Sequence, residues 1–450
     1  MNIIEYIEYL NTHIFWGTPM LALFILTGVF FTIKFKFFQL NLPKILKQTI
    51  FVKADKTSSK NQSKQNSLTP FQTLTSSLAL TIGTGNIVAL GTAIALGGAG
   101  AVFWMWFSAF LGMATTYAEN VLGMKHRRKR PEKDGGGYMG GAFWYIERAL
   151  GSVPAKIFAI CCVFASLGLG NMTQINSMSA SMQHSFGTPL WVSGIIAIIP
   201  VGLLVFGGAK VFGKVTEKTI PVISLLYIFG CLMVIAIFIT DVPAVFARIF
   251  AEAFGFRAIG GGVAGITISR AMSWGFRRGI FSNEAGLGST VTMNAMSTSK
   301  DPHRQGLWAT LTVFFDTMVI CTLTALPILL TGADRAFNSE NGDFGVNLAS
   351  MAFTDAFGAY AGMFVTISVV LFAIATAAGW SFFGGLCMEY LFGKRAVKPF
   401  LVIFVCTAFI GAIMRLDLVW GMADLMNGIM AIPNLLAVLL LGLKGEVDFD

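Results

Sequence analysis

Apolar residues fill the chain in long runs, none carrying a sustained polar stripe, with short polar stretches between them. Runs of this kind predict membrane-spanning helices, each of which needs ~20 residues. Eleven are expected, near 14–34, 72–96, 100–123, 156–185, 190–208, 219–239, 260–298, 306–331, 359–391, 399–414 and 418–441. Two of them are irregular. The run 260–298 is too long and too polar for one straight helix and reads as a broken one. The run 72–96 places Gly83, Thr84, Gly85 and Asn86 at its centre. Glycine in a helix interior costs about 1 kcal/mol relative to alanine, and the asparagine amide must find partners.

Charge orients the spans. Basic residues gather in every second loop: Lys34 to Lys64, then Lys125 to Arg130, Lys210 to Lys218, Lys300 with Arg304, and Lys394 to Lys398. The intervening 332–358 carries Asp334, Glu340, Asp343 and Asp355. By the positive-inside rule the N-terminus is expected outside and the C-terminus in the cytoplasm, as an odd number of spans requires. The chain of 450 residues is 55% hydrophobic and 12% charged, with mean hydropathy +0.70, which fits a multi-pass protein of the cell membrane. The net charge of +9 sits in these loops, so no nucleic-acid partner is expected, only the lipid bilayer. The six cysteines fall in apolar runs and read as small buried hydrophobes. The acidic start, MNIIEYIEYL, does not resemble a signal peptide, and no cleavage is expected.

Residues 56–67, KTSSKNQSKQNS, form a polar linker, and ten spans follow it. The first and sixth of these ten are interrupted, at 83–86 and within 281–288. Breaks at corresponding positions of two five-span halves point to an inverted-repeat secondary transporter. Freed carbonyls there suit a cation, and half-helix N-termini suit a carboxylate. The alternative is that the glycines only permit close helix packing. The expected class is therefore an all-α polytopic membrane protein with five plus five spans, two broken helices and one extra N-terminal helix. Its expected divisions are the extra helix (1–35), a cytoplasmic linker (36–70), a core of two repeats (71–240 and 241–442), and a cytoplasmic tail (443–450). A channel would need a continuous polar pore, and an intramembrane enzyme a nucleophile with a base or a metal cluster. Neither pattern is present, so the chain is not read as an enzyme and no organic cofactor is expected.

The block GGAGAVFWMWFSAFLGM (97–113), directly after TIGTGNIVALGTAIAL, closely resembles the signature of the alanine or glycine:cation symporter family. RRGIFSNEAGLGS (277–289) and FAIATAAGWSFFGG (372–385) resemble that family's other recurring blocks, whereas Ala99 stands where the pattern has proline. The resemblance implies a LeuT-type fold and coupling of Na⁺, or H⁺, entry to uptake of a small neutral amino acid, alanine or glycine. It implies a Na⁺ site from the carbonyls of Ala79, Ile82 and Ala373 with the hydroxyl of Thr376. A second site would use Thr81 and Asn86. The substrate would meet Thr84, Gly85, Asn86, Gln174, Phe281, Ser282, Asn283 and Trp380, and one copy of the chain should suffice for transport.

Other residues have plainer readings. Glu284, at membrane depth, is expected to pair with Arg277 or Arg278 in preference to a proton-coupling role; Glu119 and Asp316 are read likewise. Arg270 is expected near an outer gate, and Trp104 and Trp106 in an aromatic belt or in packing. GAKVFGK (208–214) lacks both the hydroxyl residue and the strand of a phosphate loop. GGGYMGGAFWYI (135–146) reads as a hinge into an interfacial amphipathic helix. The four histidines are scattered and suggest no metal site.

Overall fold

The computed structural model describes residues 3–49, 68–131, 136–255, 263–335 and 347–449. The polar linker 56–67 lies outside the described residues. The described chain is almost entirely helical. α1 (Ile3–Leu10) passes through a π turn (Asn11–Phe15) into α2 (Thr18–Lys34), bent by 42°. The first expected span is thus one limb of a longer element. α3 (Leu42–Thr49) follows.

Thr69 starts α4 (Pro70–Thr81) with a reciprocal cap: the Gln72 amide donates to Thr69 Oγ1 at 3.1 Å, and the Thr69 amide donates to Gln72 Oε1 at 3.1 Å. α4 stops at Thr81, residues 84–86 form one 3₁₀ turn, and α5 (Val88–Gly97) resumes after a 56° bend. The first break is where its glycines put it. α6 (Gly100–His126) leads into a hairpin of β1 (Arg128–Lys129) and β2 (Tyr138–Met139), with Arg128 opposite Met139. α7 (Ala142–Leu150) then buries Ala142, Phe143, Tyr145 and Ile146 on one face, the amphipathic helix expected there.

α8 (Ser152–Leu167) and α9 (Thr173–Phe186) are joined by a π turn. α10 (Leu190–Ile237) runs 48 residues with a non-helical Gly208, φ 78°. α11 (Val242–Ala253) precedes α12 (Val263–Asn283), the second break, and the short α13 (Val291–Ala295). α14 (Pro302–Val313) and α15 (Thr322–Thr331) flank a π turn at Phe314–Cys321. α16 (Leu348–Phe357), α17 (Ala359–Phe392), α18 (Val397–Ile413) and α19 (Leu416–Leu443) complete the chain.

By length and apolarity, seven described helices qualify as spans, and the two bent pairs raise this to nine. The expected eleven differ from nine at two places. Residues 190–208 and 219–239 lie on two helical limbs that meet at the non-helical Gly208 and are counted together as α10, and α12 is too polar to qualify. Apolar side chains such as Leu203 on α10 and Ile403 on α18 face outward, as a lipid-facing surface requires.

Inside, small residues let the backbones approach, since lipid tails provide no hydrophobic drive between helices. A Cβ on Gly170 would lie 2.2 Å from Trp380 Cγ, and one on Gly123 of α6 would lie 2.2 Å from Val291 Cγ1 of α13. Gly123→Ala is therefore expected to destabilise by ~1–3 kcal/mol through overpacking. A lowered unfolding temperature in detergent, restored when Val291→Ala is added, is the expected measurement; no restoration would mean that the valine is not the obstacle.

Candidate substrate and cation site

The first break turns backbone carbonyls inward. Gly83 N–H would close the next helical turn onto Ala79, but it donates instead to Asn86 Oδ1 at 3.1 Å. The Thr376 hydroxyl on α17 donates to the Ala79 carbonyl at 2.8 Å and reaches the Ile82 carbonyl at 3.4 Å. Ala373 is buried one turn earlier on the same helix. A Cβ at position 83 would stand 2.6 Å from Thr376 Oγ1 and 2.8 Å from Gln174 Oε1, so any larger residue would displace them. Gln174, on α9, takes both the Thr84 amide (3.0 Å) and the Thr84 hydroxyl (2.9 Å) on its Oε1. The Thr84 amide, one of the groups expected to meet a substrate carboxylate, is thus already engaged. Gly85 abuts the second break, where its Cβ would lie 3.1 Å from Ser282 Cα.

Asp316 joins the two breaks. It sits in the π turn of residues 314–321, fully buried. Asn86 Nδ2 donates to its Oδ1 at 2.8 Å and to its carbonyl at 3.0 Å. Ser282 Oγ and Thr317 Oγ1 each donate to Oδ2 at 2.8 Å, and Asn283 Nδ2 donates to Thr317 Oγ1 at 3.2 Å. Thr81 Oγ1 also faces this carboxylate but completes no hydrogen bond. The sequence reading left Asp316 out of the binding set. Its signal was an aspartate next to a threonine inside an apolar run, where an ionisable group is expensive.

The ion pair expected of Glu284 is not made. Its oxygens accept from Trp380 Nε1 at 3.0 Å and from Ser289 Oγ. Arg277 and Arg278 turn instead to Asp424 on α19, at 2.6 and 3.3 Å. The reason is geometric: seven residues of α12 separate Arg277 from Glu284 by ~10 Å along the axis. The chain then leaves the helix at Glu284, whose φ is +58°. Glu119 likewise has no basic partner among the described residues. It accepts from Asn434 Nδ2 (2.5 Å), the Gly288 amide (3.2 Å) and the Gly286 amide (3.4 Å), so it supports the backbone of the second break.

Both ends of this region are closed. On the side of α1, Phe281 stacks on Trp420 with ring centres 4.7 Å apart, and the Arg278 guanidinium lies 4.5 Å over that indole. Arg277 also reaches Glu8 of α1 at 3.5 Å, and Trp16 Nε1 donates to the Asp424 carbonyl at 2.9 Å. Arg270, expected near an outer gate, is exposed. On the opposite side Leu68 pairs with the strand-like segment after α13: its amide donates to Met296 (3.1 Å) and its carbonyl accepts from Thr298 (2.9 Å). Arg127 fastens that segment through the carbonyls of Ser297 (2.7 Å) and Ser299 (2.6 Å). Trp380 is buried against Gly170 and Glu284. Trp104 and Trp106 pack among Phe103, Phe107, Phe250 and Phe254.

The chain as a whole has counterparts. Residues 1–446 match the profile of the sodium:alanine symporter family. The sodium/alanine symporter AgcS of Methanococcus maripaludis is 39% identical, over 98% of this chain and 95% of its own length. The probable sodium/glutamine symporter GlnT of Bacillus subtilis is 34% identical, over 98% and 89%. Among solved structures, MhsT in complex with L-phenylalanine superposes with a TM-score of 0.60 at 13% identity, covering 82% of this chain and 88% of that one. That likeness shows the LeuT-type fold. The relatives are transporters and not enzymes, and what is common to them is cation-coupled symport of amino acids. With two broken helices meeting at a buried polar centre, closed from both sides, this chain belongs to the sodium:alanine symporter family.

Proposed function

We propose that the chain couples Na⁺ entry to uptake of alanine or glycine across the cell membrane, by alternating access, with its N-terminus outside. The observation that carries this reading is the meeting of the Thr376 hydroxyl with the Ala79 and Ile82 carbonyls. Uncharged oxygens gathered at a helix break suit a hard cation, which takes the place of the hydroxyl hydrogen. The Ala373 carbonyl completes that site. A second cation lies between Thr81 and Asn86, beside the Asp316 carboxylate. The amino acid occupies the seam between the breaks: its carboxylate near the Gly85 amide at a half-helix N-terminus, its ammonium towards Ser282 and Asn283. Gln174 positions Thr84, while Phe281 and Trp380 limit the side-chain space. Alternating access follows from the two closures. Opening one end separates Phe281 from Trp420 and both arginines from Asp424, and opening the other frees Leu68 from residues 296–298.

The relative named for glutamine supplies the second reading, a larger neutral amino acid carried on the same cations. Uptake into proteoliposomes with a labelled amino-acid panel, with and without a Na⁺ gradient, separates the two. Alanine and glycine should be taken up only with the gradient. Leucine should fail to compete, since a branched side chain overpacks the seam by ~1–3 kcal/mol. Strong competition by leucine or glutamine would reject the small-substrate assignment.

Thr376→Ala should raise the Na⁺ concentration for half-maximal uptake about tenfold or more, the effect of ~1.4 kcal/mol lost from one ligand. An unchanged Na⁺ response in a folded variant would place the ion elsewhere.

Asp424→Ala leaves two buried guanidiniums without their partner and is expected to cost ~3–5 kcal/mol. A large drop in detergent unfolding temperature is the expected reading, whereas wild-type stability would mean that water reaches the arginines.

A further inference from the structure

Asn427 on α19 is fully buried, and neither its Nδ2 nor its Oδ1 has a hydrogen-bond partner among the described residues. No other buried amide side chain among them is open at both ends. Leaving a buried donor or acceptor unpaired is costly, so two such groups on one side chain point to a ligand that both donates and accepts. Helix geometry fixes where the amide points, since successive residues turn by about 100°. Ala423 faces the π turn Gly168–Met172 between α8 and α9: a Cβ on Gly168 would lie 3.9 Å from its Cα. Asp424 faces α12, where it holds Arg277 at 2.6 Å, and Trp420 reaches the same helix by stacking on Phe281. Asn427 projects about 40° from Ala423 and about 60° from Asp424, hence between the π turn and α12. Trp380 spans that same interval. Its ring packs on Gly170 of the π turn, and its Nε1 donates to Glu284, just past α12, at 3.0 Å. The amide of Asn427 is therefore aimed at the end of the seam that Phe281 and Trp380 bound.

We propose that Asn427 is a specificity-determining residue that hydrogen-bonds the hydroxyl of a serine substrate, which rests on the reading that the amino acid lies between the breaks. Serine is then carried alongside alanine and glycine. Its hydroxyl donates and accepts at once, matching the two open ends of the amide. It adds a single oxygen to alanine and avoids the branched bulk that excludes leucine. With alanine or glycine in place, a water can bridge to the amide, and the serine hydroxyl exchanges for it with its hydrogen bonds kept. A pocket for aliphatic side chains alone would have no use for the amide. A leucine at position 427, of similar volume, would fill the same space without unpaired polar groups.

Uptake of labelled serine and labelled alanine into proteoliposomes under a Na⁺ gradient, by the wild type and by Asn427→Leu, tests the assignment. The wild type should carry serine with a kcat/KM within about tenfold of that for alanine. Asn427→Leu should lower the serine-to-alanine ratio of kcat/KM about tenfold, as expected when hydrogen bonding to the substrate is lost. Its unfolding temperature in detergent, without amino acid, should hold or rise, because an apolar side chain replaces an amide that the fold does not use. An amide with a structural role gives the opposite pair of results: an unchanged ratio, and a lower unfolding temperature or a chain that does not fold. Either of these would overturn the proposal. Exclusion of serine by a wild type that carries alanine would also overturn it, while leaving the seam as the amino acid's place. Absence of Na⁺-driven alanine uptake would reject that placement, and the serine assignment with it.

Discussion

A helix broken inside a membrane leaves backbone groups without their helical partners, and here this happens twice, at two breaks that meet at Asp316. Each freed group needs a partner from the protein or from a ligand. At the first break, Asn86 Oδ1 takes the Gly83 amide and Gln174 Oε1 takes the Thr84 amide, which leaves the Ala79 and Ile82 carbonyls to Thr376. At the second, Glu119 accepts the Gly286 and Gly288 amides, and Asn434 donates to the Gly286 carbonyl at 2.8 Å. The two accounts differ in kind. The second is closed by fixed side chains. The first is closed partly by a rotatable hydroxyl, whose oxygen can turn towards a cation together with the two carbonyls it now donates to.

This difference explains which parts of the molecule were legible in the sequence. Glycines at 83 and 85, with Thr84 and Asn86 beside them, mark their break more strongly than close packing alone would require, and the structure puts the bend there. The lengths of the apolar runs likewise give most of the helices. The run 190–208 also ends where the chain kinks, at the non-helical Gly208, although both sides of the kink are helical and the expected loop after it is not formed. The partners of charged groups were hidden. Arg277 and Arg278 lie close to Glu284 in sequence, yet they pair with Asp424, some 150 residues away, because helical rise separates near neighbours while tertiary packing joins distant ones. Asp316 was visible as an ionisable residue in a span, but nothing local connects it with Asn86 or Ser282.

Charge is distributed unevenly through the core, and the unevenness has a function. Asp424 carries two guanidiniums, so the closure near α1 contains its own counter-ions. Asp316 is surrounded by neutral donors only: Asn86, Ser282 and Thr317. Such a carboxylate favours any cation that enters, whether a metal ion or an ammonium group.

Asp316 also makes one unit of the two breaks. Asn86 belongs to the first and Ser282 to the second, and both donate to the same carboxylate. A cation drawn to its oxygens would draw both broken helices towards it, and its departure would leave them held by hydrogen bonds alone. The second broken helix also carries Phe281 and Arg277 of the closure near α1, while Leu68 and residues 296–298 of the other closure flank α4 and α13. An ion held at Asp316 would therefore act on the placement of α12 against α4 and α5, and α12 is also the helix that carries the Phe281 and Arg277 contacts near α1.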